Sequence, residues 1–325
     1  MNDGSKDQTL NVVTEAFKDH SKIKILDKIN GGKASALNFG ISKTDAEYLV
    51  CIDADTQLKS DAVRILMENM LLSSDENVAA VAGNVKVGNE INLLTKWQSL
   101  EYISSQNFDR RAFSIFNAIT VIPGAIGLFN KSVILEVGGF STDTLAEDCD
   151  LTIKILKLGY IVNNENRAIA LTEAPETLKQ FMKQRFRWTF GVLQTFWKNK
   201  DAFMNSKYKG LGLVALPDML IFKYVIPFFA PIADLLMIIG LFTGSAEKIG
   251  TYYLIFLIID GIASYVALVM EKASFDKLFW LIPQRIIYRW LMLIVLFRAF
   301  KKALKGELQG WGILKRTGNL KPVLE

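Results

Sequence analysis

Cysteine and histidine are nearly absent from this sequence. Only Cys51, Cys149 and a single histidine, His20, occur in 325 residues. The cysteines form neither a C-x-x-C pair nor a metal-binding spacing, so the sequence indicates neither a disulfide framework nor a zinc site. Cys51 is expected to be a small apolar filler in a strand. His20 has no Cys or His nearby, which favours a solvated surface side chain over catalytic chemistry.

Internal repeats, low-complexity tracts and a secretory signal peptide are also missing, which predicts a cytosolic location for the soluble part. The net charge is only +5, and it is concentrated over residues 298–325, which hold seven Lys or Arg against two Glu. A basic cluster beside an apolar segment is typical of the cytoplasmic face of a membrane. Because the basic residues accompany apolar segments, we expect no nucleic-acid partner.

The composition changes sharply along the chain. Residues 1 to about 210 have the composition of a soluble α/β protein, whereas residues 211–300 are mainly apolar and aromatic. We therefore predict four segments, which are an α/β domain over 1–174, an amphipathic interfacial region over 175–210, membrane-spanning and interfacial helices over 211–300, and a basic cytoplasmic tail over 301–325. The lipid bilayer is a predicted partner, and the chain is predicted to be a multi-pass protein of the inner or plasma membrane.

Strands and helices alternate in the first segment. Strands are predicted at 23–26, 48–52 and 78–82, with helices near 34–39 and 60–73. This alternation predicts a mostly parallel, Rossmann-like sheet with helices on both faces. The continuous apolar run at 48–52 predicts a strand that is buried on both faces.

Longer elements follow, with helices predicted over 93–116, 145–158 and 176–198 and a strand at 120–129. The helix over 176–198 interleaves Lys and Arg with six aromatic residues, as interfacial helices do.

Three apolar stretches, at 222–243, 251–270 and 279–300, are candidates for membrane helices. Their charged residues include Asp234, Asp260, Arg285 and Arg289. Because the first domain and the basic tail are both expected in the cytoplasm, we favour two spans plus interfacial helices. Charges at membrane depth also fit a transporter, but the small number of spans and the large α/β domain argue against that function.

Two carboxylates, Asp53 and Asp55, directly follow the predicted strand at 48–52. With Asp3, they are expected at the carboxyl ends of strands, where functional groups of such sheets collect. Paired carboxylates can bind Mg²⁺ or Mn²⁺ on a nucleotide diphosphate, because these hard cations prefer oxygen ligands. The same pattern also fits an Asp-rich turn, so this pair alone does not identify a site.

Glu147 and Asp148 begin a predicted helix. A carboxylate placed there can accept the proton of an attacking hydroxyl, although acids at a helix start also serve as caps or dipole partners. Asp150 belongs to the same cluster and fits a structural role.

The string Gln184-Arg185-Phe186-Arg187-Trp188 carries the most information. A guanidinium group binds a departing diphosphate and an indole face stacks on a sugar ring, although an interfacial Arg–Trp belt also fits. The turn Asn30-Gly31-Gly32-Lys33 can bring backbone amides and an ammonium group near phosphates, or can be a simple turn with a solvated lysine.

Five motifs, taken in chain order, resemble those of the processive family 2 glycosyltransferases, which include cellulose, chitin, hyaluronan and poly-N-acetylglucosamine synthases. They are Asn2 to Asp7, Gly32-Lys33-Ala34, Asp53-Ala54-Asp55, Ala146-Glu147-Asp148 and Gln184 to Trp188. The last of them fits the family's Q-x-x-R-W pattern. The resemblance covers residues 1 to about 200 by motif and looks closest to the poly-N-acetylglucosamine and chitin-oligosaccharide branch.

The resemblance implies a GT-A fold and an inverting enzyme that transfers a sugar from a UDP-sugar donor to a β-linked polysaccharide acceptor. N-acetylglucosamine is the expected sugar and glucose the alternative. The implied roles are uridine binding for Asp3, nucleotide binding near the ribose for Asp53, metal binding for Asp55, base catalysis for Asp148, diphosphate binding for Arg187 and acceptor stacking for Trp188. Lys33 is expected in the nucleotide site, and Glu147, Gln184 and Arg185 in the substrate site.

The resemblance also concerns partners of the enzyme. Some relatives are fused to a polysaccharide deacetylase, so an accessory deacetylase or export subunit is an expected partner. The charged residues of the apolar segments are expected to pair with each other or to line a polymer exit path.

The sequence departs from the family pattern in two places. The family's first strand, which helps to bind uracil, is missing, so we interpret the chain as truncated at its N-terminus. Ala146 stands where relatives often carry Thr, a change that is expected to leave the carboxylates in place. The alternative function is a catalytically impaired membrane scaffold or fragment of such a synthase.

Overall fold

A computed structural model describes residues 1–74, 77–243 and 246–305 of the chain. The predicted tail over 301–325 therefore lies largely outside the described residues. Among the described residues, the N-terminal part contains five strands, which are β1 (Tyr48–Cys51), β2 (Thr56–Leu58), β3 (Val78–Val87), β4 (Gly127–Asn130) and β5 (Ile161–Thr172). Its helices are α1 (Thr9–Phe17), α2 (Lys33–Ile41), α3 (Ala62–Leu71), α4 (Leu93–Glu101), α5 (Phe108–Ser114), α6 (Lys131–Glu136), α7 (Glu147–Lys157) and α8 (Leu178–Lys198).

The five strands form one sheet in the order β1-β4-β3-β5-β2. Only β3 and β5 pair in parallel, whereas β1–β4, β3–β4 and β2–β5 are antiparallel. The predicted α/β layering is confirmed, but the prediction of a mostly parallel sheet is wrong.

The course of the chain before β4 explains this difference. The side chain of Asn117 bonds to the backbone at Tyr160 and Val162, beside the start of β5. The chain then runs along the sheet until the carbonyl of Ile126 accepts a hydrogen bond from Gly83, near the middle of β3. It then turns back into β4, which therefore runs antiparallel to β3. Alternation of strands and helices in a sequence does not reveal such a reversal.

Three strand predictions need correction. β1 is an edge strand of the sheet, and its four residues are only partly buried because β4 alone among the described strands lies beside it. The stretch 23–26 is not a strand, since the pairing in this region is a single bridge between Asn2 and Asp27. The predicted strand at 120–129 is regular only from Gly127 onward.

The predicted helices are confirmed with small shifts in their ends. The helix expected over 93–116 consists of α4, a π-helical stretch Tyr102–Asn107 and α5. Its start is capped by Asn92, whose side chain accepts a hydrogen bond from the backbone of Thr95. The last two expected helices are α7 and α8.

The core lies on both faces of the sheet, because side chains alternate along β3. Ala80 and Ala82 face one apolar cluster, which includes Ile134 and Ile153. Val81 and its neighbours at alternate positions face a second cluster under α3. Both faces of the central strand are thus covered, whereas Asp53 after β1 and Asp148 in α7 are only partly buried.

Three helices of the C-terminal part are long and apolar enough to cross a membrane, over Leu211–Gly240, Glu247–Met270 and Phe275–Leu304. The first contains α9 (Leu216–Leu220) and leads into α10 (Ile226–Phe242), the second is the body of α11 (Ala246–Met270), and the third ends in α12 (Leu281–Leu304). These helices contain the three apolar stretches that the sequence identified, and the expectation of two spans plus interfacial helices stays a prediction.

Four charged residues of these helices form two ion pairs, which is one of the two arrangements expected from the sequence. Arg285 donates two hydrogen bonds to Asp260, at 2.7 and 2.8 Å, and Arg289 donates to Asp234. Such pairing reduces the cost of placing charges at membrane depth, because the attraction of the opposite charge offsets part of the lost hydration.

A single and a double variant can measure how much the pairing of Asp260 with Arg285 stabilises the protein. We expect Arg285→Leu to lower the free energy of unfolding by about 3 kcal/mol, because Asp260 loses its partner in an apolar surrounding. The double variant Asp260→Leu/Arg285→Leu is expected to regain most of this loss. Unfolding in detergent micelles measures the effect, and a double variant no more stable than the single one would contradict the pairing.

Candidate active site

The candidate site forms where the turn before α2, the end of β1 and the start of α7 meet. α2 begins at Lys33, directly after Gly32, whose φ of 85° favours glycine. The ammonium group of Lys33 lies 2.5 Å from the Asp53 carboxylate and 3.4 Å from Glu147. One lysine therefore joins three elements that are distant in the sequence.

The charge of Lys33 is fixed by these partners. Burial alone would lower the pKa of the lysine, but the carboxylates of Asp53, Glu147 and Asp148 outweigh burial and raise it. The ammonium group thus stays charged, and it partly neutralises the surrounding acids.

Glu147 and Asp148 occupy the first turn of α7. Glu147 is buried, and its pKa is raised by burial and by the charge of Asp148. Burial also raises the pKa of Asp148, although Lys33, the backbone N–H of Cys149 at 2.8 Å and Arg187 act in the opposite direction. A carboxylate with a raised pKa is a stronger proton acceptor than one in water, which suits a general base.

Asp150 belongs to the same helix turn but has a different environment. It is fully buried and contacts Lys154 at 3.3 Å and Lys198 at 3.2 Å, and it accepts a hydrogen bond from Ser141. These contacts join α7 to the end of α8, in line with the structural role considered from the sequence.

Gly124 is a site residue that the sequence analysis missed. A Cβ atom at this position would lie 2.2 Å from the Lys33 ammonium and 3.2 Å from the Asp53 carboxylate. Gly124 therefore leaves the space in which these two groups meet. The Pro123-Gly124 pair before β4 is the only local signal of this residue in the sequence.

Asp3 is held against the turn before α2. Its carboxylate accepts hydrogen bonds from the backbone of Gly31 at 3.0 Å and Gly32 at 2.8 Å, and pairs with Lys28 at 2.9 Å. Burial alone would raise the pKa of Asp3, but these contacts outweigh it and lower the pKa. Because Gly32 directly precedes Lys33, these contacts hold Asp3 beside the start of α2. The sequence analysis did not predict Lys28 as the partner of Asp3.

Asp55 lies two residues beyond Asp53, and its side chain is half-buried. Within residues 1–74, 77–243 and 246–305, no three His, Cys, Asp or Glu side chains form a metal-binding group. A cation here would need oxygen atoms from a bound ligand in addition to Asp55. This requirement fits magnesium-type sites, which use one or two carboxylates together with substrate phosphates and water.

The string Gln184–Trp188 lies in the first half of α8. Trp188 is half-buried, and its ring lies 6.4 Å from that of Tyr102. Arg187 is half-buried and close enough to Asp148 for its charge to affect the pKa of that carboxyl. α8 thus brings Arg187 to the acids of α7.

Arg185 has a different environment from Arg187. Its side chain is 3% exposed, donates to Glu101 at 2.6 Å, and lies over the Trp188 ring at 4.4 Å. A guanidinium stacked on an indole stabilises the ring orientation. Arg185 therefore connects Glu101 with Trp188, while its Nε and Nη2 atoms have no hydrogen-bond partner among the described residues. Its predicted contact with the substrate stays a prediction. Glu101, its partner from α4, was missed because nothing in its local sequence distinguishes it.

Gln184 is buried where α4, α8 and α12 meet around the aromatic cluster of Trp97, Phe181 and Tyr288. Its carbonyl oxygen, like those of Gln98 and Gln284, has no hydrogen-bond donor among the residues that the structure describes. Buried oxygens of this kind need donors, which water or the hydroxyl groups of a glycan can supply.

Comparison with known proteins decides the family. The model of glycosyl transferase family group 2 matches residues 48–297, which cover the site, α8 and most of the apolar helices. The chain belongs to glycosyl transferase family group 2. The predicted family and the predicted enzyme class are thereby confirmed.

Curated relatives of this glycosyltransferase chain are synthases. A poly-beta-1,6-N-acetyl-D-glucosamine synthase of Staphylococcus epidermidis is 37% identical over 202 residues, which are 61% of this chain and 48% of that protein. The synthase of the same name from Staphylococcus aureus strain COL is 34% identical over 216 residues, 66% of this chain and 52% of that one. The chain thus spans about half the length of these relatives.

A solved structure has the same fold. It is a mannosyltransferase, PcManGT from Pyrobaculum calidifontis, in complex with GDP-Man and Mn²⁺. The TM-score is 0.59 at 18% identity, and the match covers 94% of this chain and 76% of the other. The predicted α/β fold of the GT-A class is confirmed by this neighbour.

The structural role of Glu101 can be tested by substitution. We expect Glu101→Gln to lower the free energy of unfolding by about 3 kcal/mol, because the buried Arg185 loses its counter-charge. Glu68→Gln is a matched control, since Glu68 also pairs with an arginine, Arg64, but on an exposed helix face. Its effect is expected to stay below about 0.5 kcal/mol. Equal effects in thermal unfolding would contradict the role of Glu101.

Proposed function

We propose that this glycosyltransferase transfers N-acetylglucosamine from UDP-N-acetylglucosamine to a growing β-linked polysaccharide at the cytoplasmic face of the membrane, with inversion at the anomeric carbon. The observation that carries the proposal is the meeting of Asp53, Lys33 and the Glu147–Asp148 pair, with Arg187 nearby. The names of the relatives support the choice of sugar.

In the proposed reaction, Asp148 accepts the proton of the attacking acceptor hydroxyl. The hydroxyl oxygen forms a bond to the anomeric carbon while the bond from that carbon to the diphosphate breaks, and UDP leaves with the electron pair. Because a single displacement occurs, an α-linked donor gives a β-linked product. Glu147, which is more buried, pairs with Lys33 and holds the start of α7 in place.

The leaving diphosphate needs positive charge around it. Arg187 is the proposed guanidinium ligand, because its fork of donors matches phosphate oxygens. Lys33 lies beside Asp53, in the proposed nucleotide site, and Asp3 is the proposed uridine ligand. Asp55 is the proposed ligand of Mg²⁺ or Mn²⁺, which when bound screens the charge of the diphosphate. The half-buried carboxylate of Asp55 at the end of a strand is the oxygen donor that such a cation requires.

Trp188 is the proposed platform for the acceptor end of the polysaccharide. Sugar rings stack on indole faces, and Arg185 holds this indole from the other side.

The proposed location is a multi-pass membrane protein whose catalytic domain faces the cytoplasm, and the three candidate spans among the described residues support the membrane part of it. α12 packs along α8 and contacts the catalytic domain through Ala299, which lies in a cluster with Phe190 and Leu145. An accessory deacetylase or export subunit remains a prediction from the family resemblance.

The central test is sugar transfer by detergent-solubilised protein. With UDP-N-acetylglucosamine and Mg²⁺ or Mn²⁺, we expect release of UDP and formation of polymer, and Asp148→Asn is expected to reduce both by a factor of about 100 or more. Asp143→Asn is the matched control, because Asp143 is an exposed residue that pairs with Lys198. Since burial raises the pKa of Asp148, the rate is expected to fall as the pH is lowered through that pKa.

The outcomes separate this function from the alternative. Unchanged transfer in Asp148→Asn would exclude Asp148 as the base. Absence of UDP release with every UDP-sugar, in protein whose thermal unfolding is cooperative, would favour the catalytically impaired scaffold.

Gly124→Ala offers a second test of the donor site. The added methyl group would displace the Lys33 ammonium from Asp53, so we expect the Michaelis constant for the UDP-sugar to rise about tenfold or more while the fold is kept, because the displaced atoms end a flexible side chain. Gly40→Ala is the control, since a methyl group there meets no atom within 4 Å. A normal Michaelis constant in Gly124→Ala would remove Lys33 from the donor site.

A further inference from the structure

An apolar groove lies between the segments 220–229 and 297–305, away from the candidate active site. Its volume is about 700 Å³. Phe228, Phe229, Phe297 and Phe300 line its apolar part, and Lys301 and Lys305 lie at one end. Apolar walls with positive charge at a single end are suited to an amphipathic ligand.

The groove lies at the end of the helix bundle that faces the catalytic domain. The hydroxyl of Tyr224 donates to the carbonyl of Thr189 in α8 at 2.9 Å, and its ring packs against Phe300. Lys301 lies in the last turn of α12 and Lys305 directly follows the helix, where the apolar sequence ends. Because Ala299 in the same part of α12 contacts Leu145 and Phe190, the two lysines lie on the side of the apolar helices that faces the catalytic domain.

The groove is about as long as the hydrocarbon of one leaflet is thick. The segment from Phe297 to Lys305 is helical over nearly its whole length, and eight residue steps of a helix rise about 12 Å. One leaflet contributes about 15 Å of hydrocarbon to a typical bilayer. An acyl chain along the phenylalanines would thus bring its headgroup to the lysines.

We propose that this groove binds an anionic glycerophospholipid of the cytoplasmic leaflet, with an acyl chain against the phenylalanines and the phosphate at Lys301 and Lys305. The complementarity of charge selects this ligand, because basic residues beside a membrane attract anionic headgroups. A zwitterionic lipid would fill the apolar part but would gain little from the two ammonium groups.

Binding at this place would stabilise the contact between the membrane helices and α8. Phe300 and Tyr224 line the groove, and Tyr224 bonds directly to the residue that follows Trp188. A lipid in the groove is therefore expected to raise the unfolding temperature of the whole chain. This expectation does not depend on the proposed sugar transfer.

The test uses the full chain in non-ionic detergent, titrated with dioleoyl-phosphatidylglycerol or dioleoyl-phosphatidylcholine. Native mass spectrometry measures bound lipid, and thermal unfolding measures stabilisation. We expect tighter binding and a larger upward shift with phosphatidylglycerol. Lys301→Gln/Lys305→Gln is expected to weaken its binding about fivefold for each lysine and to leave phosphatidylcholine binding nearly unchanged.

Two further variants keep the test specific. Lys22→Gln/Lys24→Gln removes the same charge from exposed residues of the soluble part, and it is expected to bind phosphatidylglycerol like the unaltered chain. Val225→Trp places a large side chain in the groove, and it is expected to abolish binding of both lipids while the protein still unfolds cooperatively.

Three results would overturn the proposal. One is equal affinity for the two lipids. Another is an equal loss of phosphatidylglycerol binding in the two double-lysine variants, which would show a general effect of charge. The third is a dimer that Val225→Trp abolishes, because a second copy of the chain would then occupy the groove.

Discussion

The ammonium group of Lys33 lies among carboxylates that come from separate parts of the chain. Asp53 follows β1 and Glu147 begins α7, and without a cation between them these acids would repel each other at short range. The surrounding backbone serves this arrangement, since Gly124 leaves the necessary space and Asp3 holds the turn from which Lys33 projects. The positions of Asp148 and of the proposed donor site follow from this interaction.

A second constraint connects the site to the membrane. α8 carries Arg187 towards Asp148, and the same helix is held by Glu101 through Arg185 and by Tyr224 through Thr189. Because α12 packs along α8, any shift of the membrane helices would also move the residues proposed to bind the diphosphate and the acceptor. The proposed extension of a polysaccharide at the membrane would require such a fixed relation between the growing end and the bilayer.

Much of this organisation could be predicted from local sequence. The apolar run before Asp53, the acids that begin α7 and the aromatic-rich α8 gave correct elements, because local periodicity and capping specify them. The direction of β4 was not predictable, since it depends on the return of the chain between Asn117 and Ile126. The contacts of Glu101, Lys28 and Gly124 were missed for a related reason, as each acts on a partner at least 25 positions away. The inward position of Arg185 likewise depends on α4.

The most direct measurement of the central claim is an experimental structure of the protein with UDP and Mn²⁺, with an anomalous difference map at the manganese edge. The account predicts a manganese peak within coordination distance of Asp55, with the diphosphate beside Arg187 and the uridine near Asp3. Nucleotide bound elsewhere, or manganese at a site that does not include Asp55, would contradict it.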